Sequence, residues 1–284
     1  MLNTLAVVLL VATSSVSEGT KAPARFQWVK GHVFTYRVEQ FTQVVQTEGS
    51  RVNRMSNQLQ LTKVWKVIDV DGRGNATVQL SLKTMRLENK TPDGETLVFD
   101  SEKLEKSEPG LKKQLSSYVG KPLAVLRVSN VGRVLAVKES HFGPASRFQT
   151  ELPFVCELAT EAIAVGSKWT RDYNIVLEPP QGTGEKFGAV QSYTCKTFAQ
   201  GVAEITVTTQ VKDLPKAMRD QIPLLQAKPK GTVRFDVKNG RFVGAQLNVH
   251  EELKSGKGED LQTYQFQSTY REKLVSHVAS EQKK

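Results

Sequence analysis

Residues 57–84 read NQLQLTKVWKVIDV (57–70), DGRGN (71–75) and ATVQLSLKT (76–84), and they decide the fold class. Leu59, Leu61 and Trp65 alternate with polar residues in the first segment, and the third segment alternates in the same way. A period of two is typical of strands with one buried and one wetted face, so the Gly-rich turn between them predicts an antiparallel hairpin. A calcium loop beginning at Asp69 is disfavoured, because its twelfth position would be Leu80 where the bidentate Glu belongs.

The same pattern recurs along the chain. Residues 185–198 and 202–211 flank a turn at Gln200-Gly201, and residues 123–129 and 133–138 flank a turn at 130–132. Residues 231–238 and 241–253 flank Asn239-Gly240, a dipeptide that strongly favours a two-residue hairpin turn. A last strand is expected over 261–273. The chain is therefore predicted to be mainly β, with about 12 strands.

Two short helices interrupt the strands. The first is expected to begin near Ser107, two residues before Pro109, and to end at Gly120, because proline is tolerated in a first helical turn and glycine favours helix ends. The second is expected to begin near Asp213 and to be broken by Pro223.

Similar landmarks stand in both halves of the chain, which suggests a divergent duplication. Gly31 and Gly166 each precede an aromatic residue by three positions, a helix start with proline follows, and a glycine-containing turn comes last. We predict two repeats, about 28–142 and 165–275, joined by a connector at 143–164 within one β domain spanning 18–284. Two separate small domains are the alternative, but the connector is too apolar for a free linker.

A large twisted antiparallel sheet tends to curl. We therefore expect a strongly curved half-barrel whose concave face is covered by the two short helices.

The first 17 residues are expected to be a secretory signal peptide, because an apolar run is followed by Ser15-Val16-Ser17, small residues suited to cleavage. The apolar run is too short for a membrane span, although a membrane anchor is the alternative. Export to the periplasm or the extracellular space would allow a disulfide between Cys156 and Cys195. Two buried free thiols are the alternative, since sequence does not give the distance between them.

The formal net charge of +10 favours anionic partners through long-range attraction. Its cations are scattered, without the aromatic interleaving of a nucleic-acid face, so no specific nucleic-acid binding is expected. An anionic envelope polymer remains a candidate partner, and a merely solvated surface is the plain alternative.

The segment Ala164-Val165-Gly166-Ser167-Lys168-Trp169 resembles a strand opening that recurs in uncharacterised secreted bacterial proteins of the planctomycete type. The expected arrangement is also similar to periplasmic lipoprotein carriers, whose half-barrels with helical lids hold acyl chains. That second resemblance is architectural and has no residue motif, so it implies no functional residue here.

Motifs for chemistry are missing from the sequence. No His-Glu-x-x-His unit, Gly-x-Ser-x-Gly elbow or phosphate-binding loop occurs, so we expect no enzyme, metal or cofactor.

The expected function is binding of a hydrophobic ligand, such as a lipid, or of an apolar partner in the cavity of the curved sheet. The alternatives are a cell-envelope module that binds anionic polymer and a hydrolase without a recognisable motif. The plain interpretation of the aromatic residues is an ordinary core. The candidate cavity lining consists of aromatic residues on predicted strands: Phe34, Tyr36, Trp65, Trp169, Tyr173, Tyr193, Phe235, Tyr264 and Phe266.

Overall fold

The computed structural model describes residues 21–141, 145–149 and 156–279. About 60% of these residues lie in strands, which confirms a mainly β protein. The predicted signal peptide lies outside the described residues, as do residues 143–144 and 150–155 of the predicted connector. The strands are β1 (Ala22–Pro23), β2 (Val33–Glu48), β3 (Arg51–Val70), β4 (Ala76–Lys90), β5 (Thr96–Asp100), β6 (Pro122–Val128), β7 (Val134–Ser140), β8 (Ala162–Ile163), β9 (Lys168–Leu177), β10 (Glu185–Ala199), β11 (Val202–Val211), β12 (Lys230–Asp236), β13 (Arg241–Ser255) and β14 (Gln262–Val278).

Twelve of these strands form one antiparallel sheet in the order β7-β6-β4-β3-β2-β14-β13-β12-β11-β10-β9, with β5 pairing beside β6 on β4. The remaining pair, β1 and β8, forms a separate two-stranded sheet. All of the hairpins predicted from sequence are present. The turn at 71–75 joins β3 to β4, with Asp71 Oδ1 accepting hydrogen bonds from the amides of Arg73 and Asn75.

The two halves share an order of connections. In each, three long antiparallel strands come before a short helical segment and a hairpin, and the first half adds the short strand β5 before its helix. Gly31 and Gly166 both have positive φ, 84° and 87°, which glycine adopts without strain. The Gly31 amide donates to Val67 O on β3, and the Gly166 amide donates to Cys195 O on β10, each at 2.8 Å. These shared features agree with a duplication, which stays a prediction.

A segment before β2 bridges the two halves. The amide of Phe26 donates to Asn130 O in the β6–β7 turn, and the amide of Gln27 donates to Gly240 O in the β12–β13 turn. The ring of Phe26 meets Phe235 edge-on at 5.0 Å. One hydrophobic cluster consequently contains buried residues from both halves of the sheet, from this segment and from residues 156–163.

The strongly curved half-barrel that we predicted is not found, because the sheet is neither closed nor strongly curled. The bridging segment and residues 156–163 provide a second layer over the apolar face. With that layer in place, the sheet buries its apolar face without wrapping around itself.

The helices are shorter than expected. Helix α1 (Pro109–Leu115) is capped by Glu108 instead of Ser107, because the Glu108 carboxylate accepts from the amides of Gly110 and Leu111, and this lowers its pKa. Helix α2 (Met218–Gln221) begins five residues after Asp213, whose φ of 51° is left-handed, and it continues as a 3₁₀-helix over Ile222–Ala227. Pro223 lies at the start of that 3₁₀-helix, so it does not break the segment.

The two helices do not cover the sheet in the way that we predicted. No side chain of α1 is buried, and the helix packs beside β5. In the second segment Leu224 and Leu225 are buried, and Leu224 packs in a small second cluster with Ile175, Leu177 and Val211. Within the described ranges, no helix has the length and apolar composition to cross a membrane.

Candidate functional site

The nine aromatic residues proposed as cavity lining share one face of the sheet, which we call the inner face because it packs into the main cluster. Five of them are at most 4% exposed and fill that core instead of lining a cavity. The other four are half-buried. The buried five are Phe34, Tyr36, Trp65, Tyr193 and Phe235, and the half-buried four are Trp169, Tyr173, Tyr264 and Phe266.

The aromatic residues of the second half are held by specific contacts. Trp169 stacks on Tyr193 at 5.4 Å and donates from Nε1 to Glu157 O at 2.7 Å. The guanidinium of Arg171 lies 4.8 Å from the ring centre of Tyr173, and burial raises the pKa of Tyr173 to about 12. Such stacking, hydrogen-bonding and cation–π contacts are typical of aromatic side chains packed at the edge of a protein core.

Both cysteines are buried free thiols, so of the two alternatives the disulfide is not formed. The Cys195 thiol donates to Thr197 O at 3.5 Å on its own strand, and Cys156 lies beside Tyr193. Burial raises the pKa of Cys156 to about 12 and also raises the pKa of Cys195. Such thiols are poor nucleophiles at neutral pH.

An ion pair lies at the centre of the inner face. Lys63 on β3 contacts Glu272 on β14 with 2.8 Å between Nζ and Oε1, and both side chains are at most 2% exposed. Tyr270 donates to Glu272 Oε2 at 2.8 Å. Burial, followed by the charge of Glu272, raises the pKa of Tyr36. Sequence reasoning missed this pair, although Lys63 stands between Leu61 and Trp65 in the inward-facing series.

Beyond this pair the long strands extend away from the core, and their inner face there forms a surface that we call the distal inner face. Residues that oppose each other in the ladder share a face, so the registers define its rows. The first row contains Leu59 and Leu87, and the outer row contains Val44, Met55 and Phe266. These five side chains are apolar, and Met55 is 37% exposed while the other four are half-buried. Gln40 stands in the first row beside Leu59, and Glu251 stands in the outer row beside Phe266.

A polar ladder separates the two apolar rows. Ser268, Thr42, Asn57 and Asn89 oppose one another across four strands. The hydroxyls of Thr42 and Ser268 are 3.0 Å apart, and Asn57 Nδ2 donates to Asn89 Oδ1 at 2.6 Å. The distal inner face therefore offers apolar area on both sides of a band of hydroxyl and amide groups.

Helical segments flank the distal inner face. Helix α1 packs against β5 at one side, and α2 with its 3₁₀-helix packs against β11, β13 and β14 at the other. Lys228 follows the 3₁₀-helix and contacts Glu251 on β13 at 3.0 Å. Within the described part of the chain, the flanking helices pack mainly on β5, β11, β13 and β14, and β2 and β3 pack chiefly against neighbouring strands.

Two grooves lie on the opposite, outer face of the described sheet, and most of the residues that line them are polar or charged. The larger, about 560 Å³, lies over β11–β14, and the smaller, about 290 Å³, lies over β2–β5. Neither groove contains any of the nine aromatic residues. These grooves were not predicted from the sequence, because they depend on which strands become neighbours.

The histidines and acidic groups form no metal centre in the ranges that the structure describes. His277 and His32 are joined by a 2.9 Å contact between Nε2 and Nδ1, and Phe34 stacks on His277. Desolvation, followed by the charges of His32 and Arg241, lowers the pKa of His277.

No family model matches this chain, and no curated protein does. Among solved structures, the chain is similar to lipovitellin, in a structure concerned with lipid–protein interactions, at 13% identity and a TM-score of 0.48. That alignment covers 89% of this chain but 26% of the lipovitellin chain, so this chain spans about a quarter of that protein.

Two bacterial proteins are also similar. DynF from the dynemicin biosynthesis pathway of Micromonospora chersina aligns at 6% identity and a TM-score of 0.23, over 91% of this chain and 86% of that one. A DUF1329 family protein from Desulfovibrio piger aligns at 9% identity and a TM-score of 0.16, over 85% of each chain. At these scores the likeness carries no information about ligand or activity.

Proposed function

We propose that this chain is an exported, non-enzymatic binding protein whose distal inner face holds an amphipathic, lipid-like ligand. The observation that carries the proposal is the arrangement of two apolar rows around the polar ladder Ser268–Thr42–Asn57–Asn89. An acyl chain gains free energy from contact with the apolar rows, at about 25 cal/mol per Å² of apolar area removed from water. Hydroxyl and amide groups in the ladder supply hydrogen bonds to a polar head.

The position of the distal inner face also supports a lipid-like ligand. Five of the nine aromatic residues are packed in the core, so the apolar area available to a ligand is that of the distal rows, which include Phe266. The flanking helical segments would bound a ligand on either side, and the half-buried side chains between them keep apolar area within reach of solvent. Concave or bounded apolar surfaces with a few polar groups are usual ligand sites.

Neighbouring residues on β2 provide a matched test. Val44 belongs to the distal inner face, and Val45 points to the outer face, while both are half-buried. We expect Val44→Asp to weaken uptake of a long-chain fluorescent fatty acid by about tenfold, because a carboxylate replaces apolar contact area. Val45→Asp should change uptake by less than about twofold. Melting temperatures of both variants establish that they are folded.

Native mass spectrometry of the protein purified from its own compartment tests the same proposal without a chosen probe. A lipid-sized adduct on the wild type that is lost from Val44→Asp would support it. Absence of an adduct together with no uptake of the fatty acid, or equal effects of the two substitutions, would contradict it.

A further inference from the structure

The larger groove on the outer face is lined by three cations, Arg234, Arg271 and Lys273, and by the carboxylate of Glu204, which opposes Arg234. Arg234 on β12 opposes Gly244 on β13, and Gly244 opposes Lys273 on β14, so one row crosses three strands. Lys273 in turn opposes Arg37 on β2, which lines the adjacent smaller groove. Three of these side chains are cationic, and Glu204 at the β11 end is the acidic member of the row.

Arg234, Lys273 and Arg37 are not held in ion pairs among the described residues, although Glu204 opposes Arg234 in the ladder. The side chains of Arg234, Lys273 and Arg37 are exposed, and in the described ranges they form no hydrogen bond or ion pair. Lys273 and Arg37 stand directly opposite each other, an arrangement of like charges that destabilises a strand pair. Glu272 also borders the groove, but its carboxylate lies on the inner face with Lys63. A bound anion would relieve this repulsion.

We propose that this groove binds an acidic polysaccharide, a site independent of the distal inner face. The spacing suits a polymer, because Arg234 and Lys273 are two strand spacings apart, about 10 Å, and Arg37 is about 5 Å further. Thr232, Gln246 and Asn248 also line the groove and provide hydrogen-bonding groups for sugar hydroxyls. Gly244 leaves the space between the first two cations without a side chain.

The lining favours a saccharide over a nucleic acid. No aromatic side chain is among the described residues that line the groove, so bases would have no surface on which to stack. The net charge of +10 attracts any polyanion at long range, whereas the row Arg234–Lys273–Arg37 places three cations at one position. An experiment must therefore distinguish attraction by the overall net charge from binding by the row Arg234–Lys273–Arg37.

Isothermal titration calorimetry with oligogalacturonate as the probe measures the site directly. We expect Lys273→Gln to weaken binding about tenfold, and Arg234→Gln to weaken it by a similar factor, since each removes a charge-assisted hydrogen bond. Arg54→Gln is the matched control. It removes the same charge from the same face, about 26 Å along the strands from the Lys273–Arg37 pair. It should change affinity by less than about twofold, and rising salt should weaken wild-type binding.

Two further probes define the ligand class. A neutral maltooligosaccharide of equal length should not bind, and single-stranded DNA of equal charge should bind more weakly than oligogalacturonate. Equal losses in all three variants would assign binding to bulk charge and overturn the proposal. No binding of oligogalacturonate, or tighter binding of the DNA, would also overturn it. Because Val44 lies on the opposite face, Val44→Asp should leave this titration unchanged, so the outcome is separate from that of the lipid proposal.

Discussion

The pair Lys63–Glu272 is the most consequential single contact that the structure reveals. Two opposite charges lie almost completely buried among Tyr36, Tyr270 and apolar neighbours. Removing two charges from water is costly, and their mutual attraction with added hydrogen bonds offsets that cost only when both partners are present. The pair also marks the boundary between the packed core and the distal inner face.

Replacing one partner of this ion pair should destabilise the protein more than replacing both partners. We expect Lys63→Met to lower the free energy of unfolding by about 3 to 5 kcal/mol, because Glu272 keeps a buried charge without its partner. Lys63→Met combined with Glu272→Leu should recover most of that loss. Urea denaturation followed by circular dichroism measures both variants. A double variant that is as unstable as the single one would show that the charge itself is not the cause.

The thiol of Cys156 should be inert in the folded protein. Its pKa is raised to about 12 from an ordinary value near 9, so the folded state keeps the proton. The associated stability is complete below about pH 9 and is lost as pH rises towards 12. We expect labelling by a thiol reagent at pH 8 to be at least about a hundredfold slower than in denaturant. Rapid labelling without unfolding would show that Cys156 is accessible.

At the scale of the strands, β13 and β14 approach closely at Gly244. A Cβ atom at this position would lie 2.4 Å from the carbonyl oxygen of Glu272, which is closer than atoms can pack. The contact is with backbone, so a rotamer change does not relieve it. A side chain at Gly244 would therefore push β13 away from β14, the strand that carries Glu272 and Lys273.

Substitution of this glycine tests the strand pairing. We expect Gly244→Ala to lower the free energy of unfolding by about 2 to 4 kcal/mol, because the β13–β14 ladder must shift. Gly72→Ala is the control, since a Cβ atom there meets nothing within 4 Å and the backbone has no positive φ. Thermal melting of both variants gives the comparison. A Gly244→Ala protein as stable as the control would contradict this packing.

The hairpins were predictable because their determinants are local. Alternation sets the strand faces, and turns such as Asn239-Gly240 set the reversals, so the pairs β3–β4, β10–β11, β6–β7 and β12–β13 follow from short segments. The start of α2 was predicted wrongly, because Asp213 adopts a left-handed conformation that no helix N-cap uses.

For the whole molecule, the shared core has a thermodynamic consequence. Phe26 and residues 156–163 join the two halves in one hydrophobic cluster, and β14 pairs with β2 along nearly the full length of both strands. Neither half buries its apolar face without the other. The chain should therefore unfold as one cooperative unit even if it arose by duplication.

Unfolding transitions followed by two different spectroscopic probes should coincide. The tryptophans are Trp65 in the first half, Trp169 in the second and Trp28 in the bridging segment. We expect urea transitions followed by tryptophan fluorescence and by far-ultraviolet circular dichroism to superimpose with one midpoint. The variant Trp169→Phe, monitored through the remaining tryptophans, should keep a single transition. Two separated midpoints would show that the halves are independent domains.

The sequence by itself determined the mainly β class, the hairpins and the inward face of each strand, because alternation and turn chemistry act within a few residues. Tertiary structure decided the rest: the open sheet, the second layer formed by Phe26 and residues 156–163, the free cysteines and the Lys63–Glu272 pair. It also decided that most of the predicted aromatic lining is core and that the candidate sites lie elsewhere. These features depend on the order in which distant strands pair, and local pattern does not encode that order.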